Sequence, residues 1–303
     1  MHSNESFPNV INSFTSISDI CDLTDLNPKS VSSRLSELQK LCYVDKKNTD
    51  KKPVVIFCHG YKGFKDWGAW NIMAEAFANA GLFFVKFNFS HNGGTLEQPI
   101  DFPDLEAFGN NTYTKELDDL ESVLNWLTAE DFEHAPQIDT TDITLVGHSR
   151  GGGIVLIKAE EDSRVTKVIT LASVSDYKAR FPRGKDFEAW KKDGVMHVVN
   201  GRTKQKMPHY FSFFEDFKAN YERLNIQKVA KRLEKPLLIL HGTNDTSVKN
   251  YNAENLKNWN ENATLRWIAN ADHVFNTKHP WESDTLSKQL NLVVLKSISF
   301  IKD

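Results

Sequence analysis

Three residues in this chain have the types and positions that could make and break a covalent bond: a serine, a carboxylate and a histidine, each just after a short apolar run. Ser149 lies in Gly147-His148-Ser149-Arg150-Gly151, directly after the apolar residues 143–146. A serine on a sharp strand-to-helix turn is raised out of the backbone. The glycines two before and two after it let strand and helix pass closely. The residues that follow, Gly152 and Gly153 and then 154–161, read as the helix after the turn. A glycine-rich turn whose serine merely caps a helix is the plainer reading of the same five residues.

The partners decide between the two readings. Residues 237–240 form an apolar run that delivers His241-Gly242-Thr243-Asn244-Asp245, and residues 264–268 run into Ala269-Asn270-Ala271-Asp272-His273. Asp245, in a tight glycine turn after a strand, can reach the back of a histidine, and His273 can take the proton of a serine hydroxyl. The chain order Ser, Asp, His is that of a serine acyl-transfer site on an open α/β sheet. Asp272 is the rival acid, but a residue adjacent to the histidine is poorly placed to fold back onto its Nδ1. A fourth stretch, His59-Gly60-Tyr61-Lys62-Gly63, follows the apolar Val54-Val55-Ile56-Phe57-Cys58. Glycine there lets the backbone aim N–H groups at a reacting carbonyl, and the amide of Tyr61 is the expected donor.

These four turns need a scaffold, and the intervening pattern supplies one. Asp66 is expected to cap a helix over 67–80, with Trp70, Met73, Phe77 and Ala80 near helical spacing and Gly81 as its stop. Residues 82–89 read as a strand, 114–128 as an amphipathic helix, 165–171 as a strand, and a last helix begins near Asp284. Strands alternating with helices predict an α/β fold with a mostly parallel sheet and helices on both faces. His91 reads as a loop histidine. Residues 1–52 are polar, with one or two edge strands near 38–44 leading into the sheet. The expected division is a core of 53–172 and 236–303 with a helical cap over 173–235.

That cap segment is aromatic and locally basic. Long insertions between central strands sit where open α/β sheets bind ligands. Phe213, Phe214 and Phe217 are candidates for an apolar acyl wall, and Arg202 or Lys206 for binding a substrate carboxylate. The alternative is that the aromatics form the segment's own small core.

A chain of 303 residues, 40% hydrophobic, can bury a sizeable core as one domain with an insertion. Its net charge of −3 gives no basic face for nucleic acid or an anionic membrane. No apolar run is long enough to span a bilayer and the first residues lack a signal-peptide pattern, so a soluble cytoplasmic protein is expected. Cys21, Cys42 and Cys58 have no C-x-x-C spacing, and neither a disulfide framework nor a zinc site is indicated. The chemistry above requires no metal or organic cofactor.

With its four motifs in view, the chain resembles the α/β-hydrolase superfamily over about residues 53–302. It is most similar there to bacterial esterases grouped with dienelactone hydrolases and feruloyl or cinnamoyl esterases. The stretch His59-Gly60-Tyr61-Lys62-Gly63-Phe64-Lys65-Asp66-Trp67 has their H-G-x-x-G-x-K-x-W form. The resemblance implies Ser149 as nucleophile, His273 as base, Asp245 as acid, the Tyr61 and Arg150 amides as oxyanion hole, and a small-molecule ester as substrate. Serine at the elbow, where dienelactone hydrolases often carry cysteine, points to carboxylic esters. A thioesterase or peptidase of the same fold, or a non-catalytic binding module, are the alternatives.

Overall fold

The computed structural model describes residues 10–11, 41–44 and 50–303. Its centre is β3 (Lys52–Cys58), whose β-branched and aromatic side chains suit a strand buried on both faces. The two-residue period of a strand sends Val54, Ile56 and Cys58 into one packed cluster and Val55 and Phe57 into the other. The helix α1 (Trp70–Asn79) covers the second face with Trp70, Met73 and Phe77. The first is covered by α3 (Tyr113–Leu127), which follows the short α2 (Leu105–Gly109) and buries Leu117, Leu120 and Leu124.

Among the described residues, eight strands make the main sheet. Beside β3 lie β4 (Phe83–Lys86) and β5 (Ile138–His148), both parallel to it. From β5 the chain enters α4 (Arg150–Glu161) and then β6 (Val165–Leu171). The strands β9 (Leu237–Gly242) and β10 (Ala263–Ile268) extend the parallel sheet beyond β6. Two short antiparallel strands, β1 (Val10–Ile11) and β2 (Leu41–Tyr43), finish the other edge, giving the order β1-β2-β4-β3-β5-β6-β9-β10. The helix α8 (Tyr251–Trp259) joins β9 to β10. The chain closes with α9 (Lys288–Lys302), packing Leu290, Val293 and Val294 on the same face as α1.

Two helix starts differ from expectation. Asp66 does not cap α1, which begins after Ala69 with no side-chain cap. Its carboxylate instead takes Lys65 and, at 2.6 Å, the Nζ of Lys86. Lys86 is fully buried on β4, so an anion is required beside it. Burial still pulls its ammonium down to about 8 against the opposing pull of Asp66. The last helix starts not near Asp284 but after Ser287, whose hydroxyl accepts the Leu290 N–H at 3.0 Å.

Residues 173–235 contain α5 (Lys185–Asp193), α6 (Ser212–Ala219) and α7 (Ile226–Arg232), and also an antiparallel ribbon, β7 (Val195–Val199) against β8 (Lys206–Tyr210). The ribbon departs from the all-helical expectation. The β-branched residues of β7 are interrupted by His197, which pairs with Pro208, and these two obscure the alternation. Trp190, Phe181, Phe213 and Phe217 join the same packed cluster as the first face of the sheet. Tyr177 stacks on Tyr113 of α3, ring centroids 3.8 Å apart, which ties the segment's start to the body of the sheet.

Cys42 and Cys58 are buried, and Cys21 lies outside the described residues. No helix among the described residues is long and apolar enough to cross a membrane.

Candidate active site

Ser149 stands between the end of β5 and the start of α4 with φ +56° and ψ −115°, a conformation side chains rarely adopt. The turn is this tight because its neighbours lack side chains. A Cβ on Gly147 would lie 2.3 Å from the Gly151 carbonyl oxygen, and one on Gly151 would lie 2.5 Å from the Cys58 carbonyl. The Ser149 N–H donates to the Leu171 carbonyl at 2.9 Å, pinning the turn to β6.

The loops after β9 and β10, both on the β6 side of β5, bring an acid and a histidine to this serine. His273 Nε2 is 2.9 Å from Ser149 Oγ, and His273 Nδ1 is 2.8 Å from Asp245 Oδ2. A carboxylate can only accept, so Nδ1 carries the proton and Nε2 is free to accept the serine's. The other oxygen of Asp245 accepts the Ser247 and Val248 N–H groups at 2.8 and 2.9 Å. Burial pushes the Asp245 carboxyl up. The His273 hydrogen bond and charge, with the Val248 N–H and His241, outweigh it and hold the group below its ordinary value. Asp272 is turned away: it accepts the Val274 and Asn276 N–H groups of its own loop at 3.0 and 2.7 Å.

Three further histidines, none of them expected at the site, hold these loops. The Nε2 of His148 donates to the His273 carbonyl at 2.9 Å, and burial keeps that ring neutral, down to about 3. His59 bonds the Gly60 carbonyl through Nδ1 at 2.9 Å and accepts the Phe89 N–H at 3.3 Å, with burial drawing it down to about 4. His241 donates from Nε2 to the Val248 carbonyl at 2.8 Å, directly behind Asp245.

Tyr61 and Arg150 flank the serine. A Cβ on Gly60 would stand 2.9 Å from Ser149 Cβ, so the loop carrying Tyr61 is packed against the turn that carries Ser149. Arg150 opens α4, where the first N–H groups of a helix have no acceptor within it. The Tyr61 phenol shares a hydrogen bond with Nε2 of His209 on β8 at 2.6 Å, joining this loop to the ribbon.

Two cavities meet at Ser149 and His273. One, of 460 Å³, is walled by Tyr113, Tyr177, Phe181, Phe213, Met196 and the Arg150 side chain, among others. The second, of 510 Å³, lies against the 59–63 loop, Trp67, His279 and the ribbon turn with Arg202. Of the residues expected to bind substrate, Phe213 lines the first cavity and Arg202 the second, where it pairs with Asp101. Phe217 and Phe214 line neither. Phe217 is buried against Phe181, and Phe214 packs between Phe181 and Phe187. Lys206 is exposed at the start of β8, away from both. The ribbon residue Met196 and the stacked Tyr113–Tyr177 pair, by contrast, were not anticipated as wall.

Residues 53–197 match the family model described as alpha/beta hydrolase fold. The chain has that fold. Among solved structures it is similar to Est1E from Butyrivibrio proteoclasticus, at 17% identity with TM-score 0.62 over 88% of this chain and 94% of that one. Mouse alpha/beta hydrolase domain-containing protein 10 matches at 17% identity with TM-score 0.63 over the same shares, 88% and 94%. A dienelactone hydrolase from Anabaena variabilis matches at 16% identity with TM-score 0.56, over 88% of this chain and 91% of that one. In sequence, 155 residues are 28% identical to an uncharacterized 31.7 kDa protein of the traX-finO intergenic region of Escherichia coli, 49% of this chain and 46% of that protein. This chain thus spans about half the length of the curated relatives it matches.

Proposed function

We propose that this chain is a serine-dependent carboxylic ester hydrolase acting on small-molecule esters through an acyl-enzyme. The observation that carries the reading is the continuous hydrogen-bonded line from Ser149 Oγ through His273 to the buried Asp245. His273 Nε2 accepts the hydroxyl proton as Oγ attacks the ester carbonyl, and Asp245 holds the imidazolium that forms. The tetrahedral oxyanion is received by the amides of Tyr61 and Arg150, each stabilising it by about 3 kcal/mol. Collapse breaks the bond to the alkoxy oxygen, which leaves with the proton from His273. Water, deprotonated by the same nitrogen, then attacks the acyl carbon and frees Ser149 with release of the acid.

The two cavities give the halves of an ester separate places, with the 460 Å³ aromatic one receiving the acyl group. In this reading residues 173–235 are a cap that supplies most of the acyl wall. One structure of Est1E carries ferulic acid, an aromatic acid that suits a wall of this composition. Labelling with a fluorophosphonate tests the reading: the expected adduct is on Ser149, with parallel loss of p-nitrophenyl acetate hydrolysis. An unlabelled serine in folded protein overturns it.

A further inference from the structure

Arg150 is nine-tenths buried, yet its guanidinium is only partly used. Its Nε donates to Glu116 Oε2 at 3.0 Å, while the other oxygen of Glu116 is taken by Asn111 at 2.8 Å. The fork lies against two adjoining rings, its central carbon 4.5 Å from the centroid of Tyr113 and 5.0 Å from that of Phe213. That arrangement fixes the plane of the group before any ligand arrives. Among the described residues neither Nη atom has a hydrogen-bond acceptor, and Nη2 is buried without one. Buried N–H donors on a charged group are costly to leave unmet. The side chain forms part of the wall of the 460 Å³ cavity beside Ser149. Lys62 and Arg180 line the same cavity, and among the described residues no carboxylate does.

We infer that the acyl half of the substrate ends in a carboxylate, received by Nη1 of Arg150, the Nη atom that the protein does not enclose, so that the preferred substrates are monoesters of dicarboxylic acids. The inference rests on the ester-hydrolase reading and narrows it. Glu116 balances the charge of Arg150 in the empty cavity, and Lys62 and Arg180 supply the positive field that an incoming anion needs. A guanidinium tied at Nε holds Nη1 in a fixed direction, from which it can donate to a carboxylate oxygen.

The test compares mono-p-nitrophenyl glutarate with p-nitrophenyl methyl glutarate, the neutral diester of the same length. The expected kcat/KM ratio favours the charged ester by about tenfold or more in the native protein, the worth of a hydrogen bond to a charged group. Arg150→Met should bring the ratio to about one. Because that change strands Glu116 in the interior, the double variant Glu116→Gln with Arg150→Met removes both charges and should give the same ratio. Only the ratio is read, since the Arg150 amide belongs to the reacting site. In parallel, monomethyl glutarate is titrated calorimetrically into Ser149→Ala protein with and without Arg150→Met. Saturable binding lost with the arginine supports the inference even if the native protein hydrolyses neither ester, an outcome that would sink only the enzymatic reading. Equal rates on the two esters, or no binding that depends on Arg150, overturns the inference and makes the guanidinium a structural, water-satisfied ion pair.

Discussion

The two cavities that share Ser149 are walled in different ways. The first is enclosed by aromatic rings that belong to the packed interior: Tyr113 and Tyr177 are stacked, and Phe213 lies 4.8 Å from Tyr113 between ring centroids. The second is bounded mainly by loops, joined by polar contacts such as the Gly68 N–H to His279 Nδ1 at 3.0 Å and the Arg202–Asp101 pair and by ring contacts of His279 with Trp67 and Phe64. A wall within the close-packed core selects by shape, because displacing one ring disturbs several. Loops outside the core adjust at less cost. The expected consequence is an enzyme selective for the acid it releases and tolerant of the alcohol.

The changes expected to act most strongly strike both cavities alike. Ser149→Ala should lower kcat/KM on p-nitrophenyl esters by about 10⁴-fold or more at unchanged melting temperature, since it removes the nucleophile and leaves almost no void. Asp245→Asn should cost about 10³-fold through loss of the imidazole's orientation, whereas Asp272→Asn should stay within about twofold. Steady-state rates of the pair decide it, and the reverse ranking would mean that the acid is misassigned.

The next pair separates the cavities. Phe213→Ala should erode discrimination among acyl groups by about tenfold, and Trp67→Ala should alter discrimination among alcohols, each with little effect on the other series. Matched panels of acyl and alkoxy esters measure this, and a shared response in both series would erase the distinction drawn above.

The smallest expected effect concerns stability. His209 lies at the first cavity, and burial, reinforced by the Arg150 charge, draws it down to about 3. Its folded value is below the unfolded one, so the unfolded chain binds the extra proton as pH falls from about 6.5. Stability is therefore lost on acidification across that window, at most about 1.4 kcal/mol per pH unit for such a group. The melting temperature of His209→Gln should fall less steeply between pH 6.5 and 4 than that of the native protein.

The parts of the site legible in the sequence are those written locally. Ser149, Asp245 and His273 each follow directly on an apolar run, and parallel strands bring their carboxyl ends to one edge of the sheet. The wall was less legible because its members are chemically ordinary. Phe213 and Phe217 are one helical turn apart on α6, yet only Phe213 lines the cavity beside Ser149. Both rings touch Phe181 and Tyr113 from elsewhere in the chain, so spacing along α6 does not tell which of them reaches the cavity. Tyr113 falls one residue before the helix expected over 114–128, although it opens that helix in the fold. The Arg150 side chain carries no local sequence signal: its burial depends on Glu116 and Tyr113, which lie more than thirty positions away in the chain.

The crowded glycines at the elbow also bear on how such a protein changes over generations. At Gly147 or Gly151 a new side chain would fall on backbone oxygens that cannot move aside, and at Gly152 it would meet Ser173 at 2.3 Å. Drift is closed at these positions. The cavity walls face no such prohibition, since a ring there can be traded for another apolar group at a graded cost. A lineage built on this elbow can accordingly explore new substrates one wall residue at a time while its bond-breaking apparatus is inherited unaltered.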